Sequence, residues 1–245
     1  MKLVLVGYGR MGQAVEEIAT KRGHDIVARF DPLLATRILD TQTLTEADVA
    51  IEFSTPKTAP GNIEDLAKAG INIVSGTTGW YDHLPQTAAT VNAASTGLIY
   101  APNFSLGVHI VQEIAKLTGQ MSDFVKDYEV TIHESHHKYK VEVPSGTAIA
   151  IANTLLDQIS SKNKWTSGFP PSQPNSDTLY ITSKREGENP GTHVIRLENE
   201  HESIEIAHQA NNRDGFALGA VLAAEWIFGK VGVFTLCDMF PKEGS

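Results

Sequence analysis

KLVLVGYGRMG, residues 2–12, is the stretch on which the fold turns. Lys2 to Val6 make a nearly unbroken apolar run, as expected of a parallel strand covered on both faces. Behind the glycines, Met11, Ala14, Val15, Ile18 and Ala19 recur at helical spacing. Gly7, Gly9 and Gly12 therefore lie where a strand turns into an amphipathic helix. In that context the first glycine permits a tight turn, the second lets backbone approach a pyrophosphate, and the third lets helix pack closely on strand. The helix N-terminus adds N–H groups and partial positive charge. A second strand, roughly Asp25 to Phe30, ends at Asp31, close to the distance of about 20 residues at which a ribose-binding acid is expected. A glycine-rich turn alone carries no ligand signal, but strand, helix and downstream acid together point to a dinucleotide. The expected binding residues here are Gly7, Tyr8, Gly9, Arg10, Met11, Gly12 and Asp31. Asp31 would repel a 2′-phosphate and so favours NADH, whereas the Arg10 guanidinium would meet that phosphate and favours NADPH. Both cofactors stay open.

Further strand-like runs follow at VAIEF (49–53), NIVS (72–75) and LIYA (98–101), separated by helical patterns such as NIEDLAKAG (62–70). Strands alternating with helices imply a doubly wound, Rossmann-like parallel α/β sheet. Ligands of such sheets sit outside the carboxyl ends of the strands. SGTTGW (75–80) and YAPNFS (100–105) occupy that position, so Gly76, Thr77 and Thr78, and Ala101, Pro102, Asn103 and Phe104, are expected at the cofactor. Either loop alone would pass for a polar connection; the pair in one register points to the nicotinamide end. After Asn103 the pattern changes. SLGVHIVQEIAKLTGQM reads as one long helix, and YEVTIHES, LYITSKRE, THVIRLENE and ESIEIAHQ read as strands, the last two joined by a hairpin turn near Asn199. One helix is expected from about Thr147 to Ile159, and SSKNKWTSGFPPSQPNSD (160–177) reads as a long surface loop. A final helix near 216–229 is expected to return to the first sheet. The expected organisation is a dinucleotide-binding domain, 1–106 plus 213–245, with an inserted α+β domain on a mixed sheet, 107–212.

Composition narrows the partners. The 245 residues are 41% hydrophobic, enough for one large or two modest cores, and the net charge is −9. That charge argues against nucleic-acid and anionic-membrane surfaces, so an anionic ligand needs a locally positive pocket. The one cysteine, Cys237, can form neither an internal disulfide nor a thiolate cluster, and is expected as a buried apolar residue of a reducing cytosol. KLVLVG lacks the features of a signal peptide. GFALGAVLAAEWIFGKVG (215–232) carries Glu225 and Lys230 and falls short of the about 20 apolar residues of a membrane span. A cytoplasmic protein is expected.

ESHHKYKVEVPSGTA, residues 134–148, concentrates histidine, lysine and a turn in one place. A metal reading would use His133, His136 and His137, but strand alternation sends His136 and His137 to opposite faces and no carboxylate spacing completes a familiar site, so no metal is expected. A solvated basic strand end is the plain alternative. The richer reading is an anion site with an acid catalyst. Histidine, with a reference pKa of about 6.5, is the natural proton donor near neutrality, and a nearby lysine supplies positive charge. Pro144 ends the strand and Ser145 caps a helix, presenting the amides of Gly146 and Thr147 at its positive end.

At this motif the chain resembles the 4-hydroxy-tetrahydrodipicolinate (dihydrodipicolinate) reductase family of lysine and diaminopimelate biosynthesis, whose pattern is Glu-x-His-His-x-x-Lys-x-Asp-x-Pro-Ser-Gly-Thr-Ala. The likeness extends to VGYGRMG, IEFSTP (51–56), SGTTGW, APNFSLGV, KREGENPGTH (184–193) and IAHQANNRDGFALGAVLAAEWI (206–227). The resemblance implies an NADH- or NADPH-dependent reductase in which hydride reaches ring C4 with loss of water. It implies that His136 donates or accepts the proton, that Lys140 is a second donor or charge stabiliser, and that His137, Gly146 and Thr147 bind a small dicarboxylate substrate, with Ser145 beside them. It implies a homotetramer built through the second domain. Another dehydrogenase, such as an aspartate dehydrogenase, would reuse the cofactor half, and a non-catalytic NAD(P)H sensor would bind without turnover. The chain departs from the pattern at Glu142, where the family has Asp, and at Gly-Tyr-Gly, where many members have Gly-Ala-x-Gly. The second domain is also short between Ile159 and Leu179.

Overall fold

β1 (Lys2–Val6) is buried beyond Lys2 and lies between β2 (Asp25–Phe30) and β3 (Val49–Glu52), parallel to both. The computed structural model describes residues 1–31, 44, 46–121 and 127–240, so positions 241–245 of the expected first domain lie outside the described residues. With β4 (Asn72–Ser75), β5 (Gly97–Tyr100) and β11 (Gly232–Thr235), the sheet has the order β2-β1-β3-β4-β5-β11, all parallel. The chain leaves β1 for β2 on one side and returns to β3 on the other. That reversal opens a crevice at the carboxyl ends of β1 and β3. Helices α1 (Arg10–Lys21), α2 (Ala59–Lys68), α3 (Leu84–Ala93) and α6 (Asp214–Ile227) cover the sheet. Ile63, Leu66, Trp80 and Val91 pack with Val4, Val6, Ala50, Ile73 and Leu98. VAIE and NIVS are buried at every position, which is why they read as continuous runs rather than alternating ones.

The sheet belongs to a compact unit of Met1–Ser105 with Arg213–Ser245; a second unit comprises Leu106–Asn212. In the second, β6 (Glu129–His136), β7 (Lys164–Ser167), β8 (Thr178–Arg185), β9 (Thr192–Glu198) and β10 (Ser203–Gln209) form a mixed sheet, β10-β9-β6-β8-β7. β9 runs antiparallel to β6 and β10, and β8 parallel to β6 and β7. Helices α4 (Leu106–Gln120) and α5 (Gly146–Gln158) bury Val111, Ala115, Ile151 and Leu155 against Val130, Ile132, Ile181 and Ile195. Both sheets are of the class read from the sequence. At the β9–β10 hairpin, the Asn199 carboxamide oxygen accepts from the N–H groups of His201 and Glu202, each at 2.9 Å.

Two local expectations differ from the structure. The stretch 160–177 contains β7, an edge strand in which only Trp165 is half-buried, so it lacks the apolar pattern that marks a strand. The final helix, expected near 216–229, is α6; it stops at Ile227, Gly229 takes a φ of +72°, and the chain enters β11. Cys237 is exposed, on the turn Leu236–Met239, and Leu236 is the residue buried there. Among the described residues no helix is long and apolar enough to cross a membrane.

Gly219 lets α6 lie directly on backbone, since a Cβ there would stand 1.7 Å from the Phe104 carbonyl oxygen. We predict that Gly219→Ala destabilises the first unit by about 1–3 kcal/mol or more, as overpacking does. Urea denaturation checks this; an unchanged midpoint would mean that the helix shifts freely.

Candidate active site

In the first unit the three glycines of the loop do three different things. A Cβ on Gly7, which has a φ of +88°, would stand 2.1 Å from the Phe53 carbonyl oxygen, and one on Gly12 would stand 2.3 Å from the Gly7 oxygen. Nothing lies within 4 Å of a Cβ on Gly9. Two glycines thus close the turn, and the third leaves space where a ligand can meet the backbone. Gly9 is also the N-cap of α1 and has no side chain to satisfy the first-turn N–H groups. A cavity of about 490 Å³ opens there, lined by Gly9, Arg10 and Met11, by Phe53, Ser54 and Pro56 after β3, by Gly76, Thr77 and Thr78 after β4, and by Arg213 before α6. Open backbone, a helix N-terminus and two guanidinium groups fit a dinucleotide pyrophosphate.

Other expected cofactor residues stand around this cavity rather than in its lining. The Asp31 carboxylate accepts from the Tyr8 N–H at 2.6 Å, tying the end of β2 to the glycine loop. The Tyr8 hydroxyl bonds Glu16, and Arg29 lies over its ring at 5.7 Å while donating to Glu16 from Nε at 2.8 Å. Of the last loop, Ala101 and Phe104 are buried and Pro102 is exposed, while Asn103 accepts from the Ser105 N–H at 2.7 Å. Phe53, Ser54, Pro56 and Arg213 were not anticipated. The first three follow β3 and obey the strand-end rule, whereas Arg213 precedes a helix and follows no strand of this sheet. Beneath the loops lies Glu52, fully buried. It accepts from Ser75 Oγ (2.8 Å), Thr77 Oγ1 (3.0 Å) and Ser54 N (3.0 Å), joining the loops after β3 and β4.

The second unit gathers the histidine motif around another buried carboxylate. Glu134 and His136 alternate onto one face of β6. The side chains are 0% and 8% exposed, and Glu134 Oε2 lies 2.8 Å from His136 Nδ1. The two atoms are close but not aligned as a linear hydrogen bond, so charge dominates the contact. Glu134 Oε1 accepts from Arg185 Nη2 at 2.9 Å and from the Ser145 N–H at 3.1 Å. Arg185 is the register partner of His136 across β6 and β8. Burial works to raise the Glu134 carboxyl, but His136, Ser183, Ser145 and Arg185 outweigh it and hold the group well below the usual carboxylate range. His193, on β9, meets His136 edge to face at 5.1 Å, and its Nε2 lies 3.1 Å from Ser145 Oγ. Burial above all, with the neighbouring His136, pushes the His193 imidazole down to about 4.

The remaining motif residues surround this group. β6 ends at His136, so His137 lies beyond the strand and not on its opposite face; its N–H donates to the Asn189 carbonyl at 2.7 Å. Ser145 is the N-cap of α5, its Oγ accepting from the Ala148 N–H at 3.2 Å. Nothing lies within 4 Å of a Cβ on Gly146, so this helix end has room for a ligand; Thr147 is half-buried beside it. Lys140 Nζ is 3.1 Å from Glu142 Oε2, and the Glu142 carbonyl accepts from Arg185 Nη2 at 2.6 Å. Glu142 thus has a role in holding Lys140 and Arg185. Glu134, Arg185 and His193 were not anticipated: alternation from His136 would have found Glu134, but the other two come from distant strands and only register reveals them.

The metal set weighed from sequence does not assemble, because His133 turns to Thr131 and Thr182. Ligand atoms of Glu134, His136 and His193 do lie within 4.8 Å of one another. The guanidinium of Arg185 already occupies Glu134, so a cation entering there would meet like charge.

The chain was compared with known proteins. Residues 1–104 match the family model "Dihydrodipicolinate reductase, N-terminus" and residues 107–240 match "Dihydrodipicolinate reductase, C-terminus". The 4-hydroxy-tetrahydrodipicolinate reductase of Christiangramia forsetii is 42% identical, covering 98% of this chain and 97% of that one. The protein of the same name from Methanosarcina barkeri is 30% identical over 96% and 97% of the two chains. A solved structure, a dipicolinate-bound dihydrodipicolinate reductase of Paenisporosarcina sp. TG-14, superposes with a TM-score of 0.76 over 96% of this chain and 97% of that one, at 20% identity, and so shares the fold. The chain belongs to the dihydrodipicolinate reductase family.

His193 carries a consequence for stability. A histidine depressed to about 4 when folded and near 6.5 when unfolded binds more protons unfolded. Its contribution is complete above pH ~6.5 and is lost as pH falls from there towards ~4, by at most ~3 kcal/mol. We predict that His193→Gln flattens this acid limb in urea denaturation at pH 7, 6 and 5. Burial also lowers His109, His133 and His208, so the limb shrinks rather than vanishes. Identical slopes for the two proteins would refute the assignment.

Proposed function

We propose that this member of the dihydrodipicolinate reductase family binds its cofactor at the glycine loop of the first unit and transfers protons through the His136 cluster of the second. The chain is an NAD(P)H-dependent oxidoreductase that reduces 4-hydroxy-tetrahydrodipicolinate to tetrahydrodipicolinate in lysine and diaminopimelate biosynthesis. Family membership leaves the aspartate dehydrogenase alternative without support. The observation that carries the mechanism is the buried Glu134–His136 pair beside the N-terminus of α5, a proton-bearing ring next to a site for carboxylate.

When bound, the nicotinamide supplies a hydride, which goes to C4 of the substrate ring. Gly9 and the first turn of α1 hold the pyrophosphate, with Arg10 as counter-charge, and Asp31 meets the adenosine ribose. Gly76–Thr78 and Ala101–Phe104 form the walls at the nicotinamide end. On the substrate side, His137 and the amides of Gly146 and Thr147 hold the two carboxylates, and Ser145 keeps that helix end in place. As the 4-hydroxyl leaves as water, His136 gives its proton to the enamine carbon. Lys140 supplies positive charge or a second proton, its position set by Glu142. An acidic protein manages a dianion in this way because His136, His137, Lys140 and the α5 terminus concentrate positive charge locally.

The assembly we assign is a homotetramer through the second unit. Ile204 on β10, Ile110 and Leu117 on α4, and Met121 just after it remain exposed in one copy, which supports self-association. Light scattering would then give four times 26.6 kDa, and a monomeric mass would exclude it. The cytoplasm is the compartment that suits a chain with a single cysteine.

A coupled assay tests the reaction. Aspartate semialdehyde, pyruvate and the upstream synthase are supplied, and NAD(P)H absorbance is followed. Synthase-dependent oxidation is expected, and its absence with both cofactors would leave a non-catalytic sensor. His136→Gln is expected to lower kcat by roughly 10²–10⁴-fold with cofactor affinity intact. In the same assay Asp31→Asn, which keeps an acceptor for the Tyr8 N–H, should raise the KM for NADH relative to that for NADPH. An unchanged ratio would move the ribose contact elsewhere.

A further inference from the structure

The proton-transfer reading assigns His136 without saying which nitrogen works or what holds the ring; the inference below rests on that reading. His136 Nδ1 faces a carboxylate oxygen at 2.8 Å. Neither atom makes an aligned hydrogen bond among the described residues, and the Ser183 side chain of β8 also acts on the Glu134 carboxylate. An ionised carboxylate only accepts, and even off the N–H axis its negative charge at 2.8 Å favours a hydrogen on Nδ1 over a bare lone pair. Nδ1 therefore keeps its hydrogen in the neutral ring as well as in the imidazolium. The exchangeable proton is left to Nε2.

The carboxylate is itself fixed. Its other oxygen accepts from Arg185 Nη2 and from the Ser145 N–H, at 2.9 and 3.1 Å. Ser145 caps α5, so one side chain joins the acid to the helix end that holds substrate carboxylate. Surroundings of Nε2 are the reverse of those of Nδ1. Gly191 has a φ of +156°, and a Cβ there would stand 2.9 Å from Nε2 and 3.3 Å from Cδ2. Glycine thus keeps that edge of the ring clear. Asn189 holds the glycine there: its side-chain oxygen accepts from the Gly191 N–H at 3.0 Å, and its Nδ2 donates to the Ser135 carbonyl at 3.2 Å. The groups facing the ring from packed elements are Glu134 on β6, Arg185 on β8, His193 on β9 with His208 on β10 behind it, and Lys140 on the following loop.

We propose that Glu134 is a positioning residue of the reductase: its charge keeps the hydrogen of His136 on the Nδ1 beside it, makes Nε2 the nitrogen that exchanges the proton, and ties that ring to the N-terminus of α5 through Ser145. The step balances simply. The Nε2–H bond breaks as a C–H bond forms at the enamine carbon, and the pair left on Nε2 takes a proton from solvent in the next cycle, while Nδ1–H is never released.

Two measurements on the full chain test this. Long-range proton–nitrogen NMR of the wild-type protein, at a pH where His136 is neutral, should find Nδ1 protonated and Nε2 bare. The opposite tautomer overturns the proposal. Glu134→Gln, compared with wild type in the coupled assay, should lower kcat between roughly tenfold and 10⁴-fold, the upper figure being that for loss of an orienting carboxylate in a catalytic triad. KM should stay within about threefold, as befits a group acting only in the transition state. A variant whose KM rises with kcat unchanged would assign Glu134 to binding and refute the proposal. If that variant does not fold, the wild-type tautomer decides alone. Absence of turnover in the wild type would sink the reductase reading and leave the NMR result to judge the positioning.

Discussion

A carboxylate removed from water must find donors for both oxygens or lose its charge, and this requirement at Glu134 organises the second unit. Three segments answer it: the end of β8 through Arg185, the cap of α5 through Ser145 and the end of β6 through His136. Each is at the place where chemistry is assigned. Removing the carboxylate would strand a mostly buried guanidinium and release a helix terminus together. The constraint explains why these three segments stay in one geometry.

Unit one solves the same problem in the same way. Glu52 stands at the carboxyl end of β3, beside the switch point of the sheet, and draws Ser54, Ser75 and Thr77 onto itself. Thr77 and Ser54 also line the cavity. A polar group that would be expensive to bury alone becomes the tie between two ligand-facing loops. In both units a strand-end carboxylate fixes backbone rather than touching the expected ligand. Flexible lysines could supply the charge, but they would not supply this rigidity.

Long-range electrostatics and local chemistry point in opposite directions in this chain. A net charge of −9 repels anions at a distance, yet the ligands are a dinucleotide and a dicarboxylate. The helix ends, guanidinium groups and histidine of the proposed sites would resolve the conflict at contact distance, because local interactions in partly buried sites are screened little by salt. Lys140 illustrates the limit of reading charge from letters. Its ammonium stands beside Glu142, so the charge it offers is shared.

Local pattern settled a great deal before any coordinates. Periodicity and three glycines at a strand-to-helix turn were enough for the parallel sheet and the open glycine turn, because those features depend on neighbours within a few residues. Strand alternation and turn chemistry were enough for the mixed sheet and the α5 cap for the same reason. Tertiary structure alone decided that Glu134 meets Arg185, that His136 meets His193, that Arg213 borders the cavity at the glycine loop, that Trp165 lies in an edge strand and that Cys237 is exposed. These facts depend on strand register and on which chain segments become neighbours. A sequence read along its length contains those pairings only implicitly, since the free energy that selects them comes from burying both partners at once.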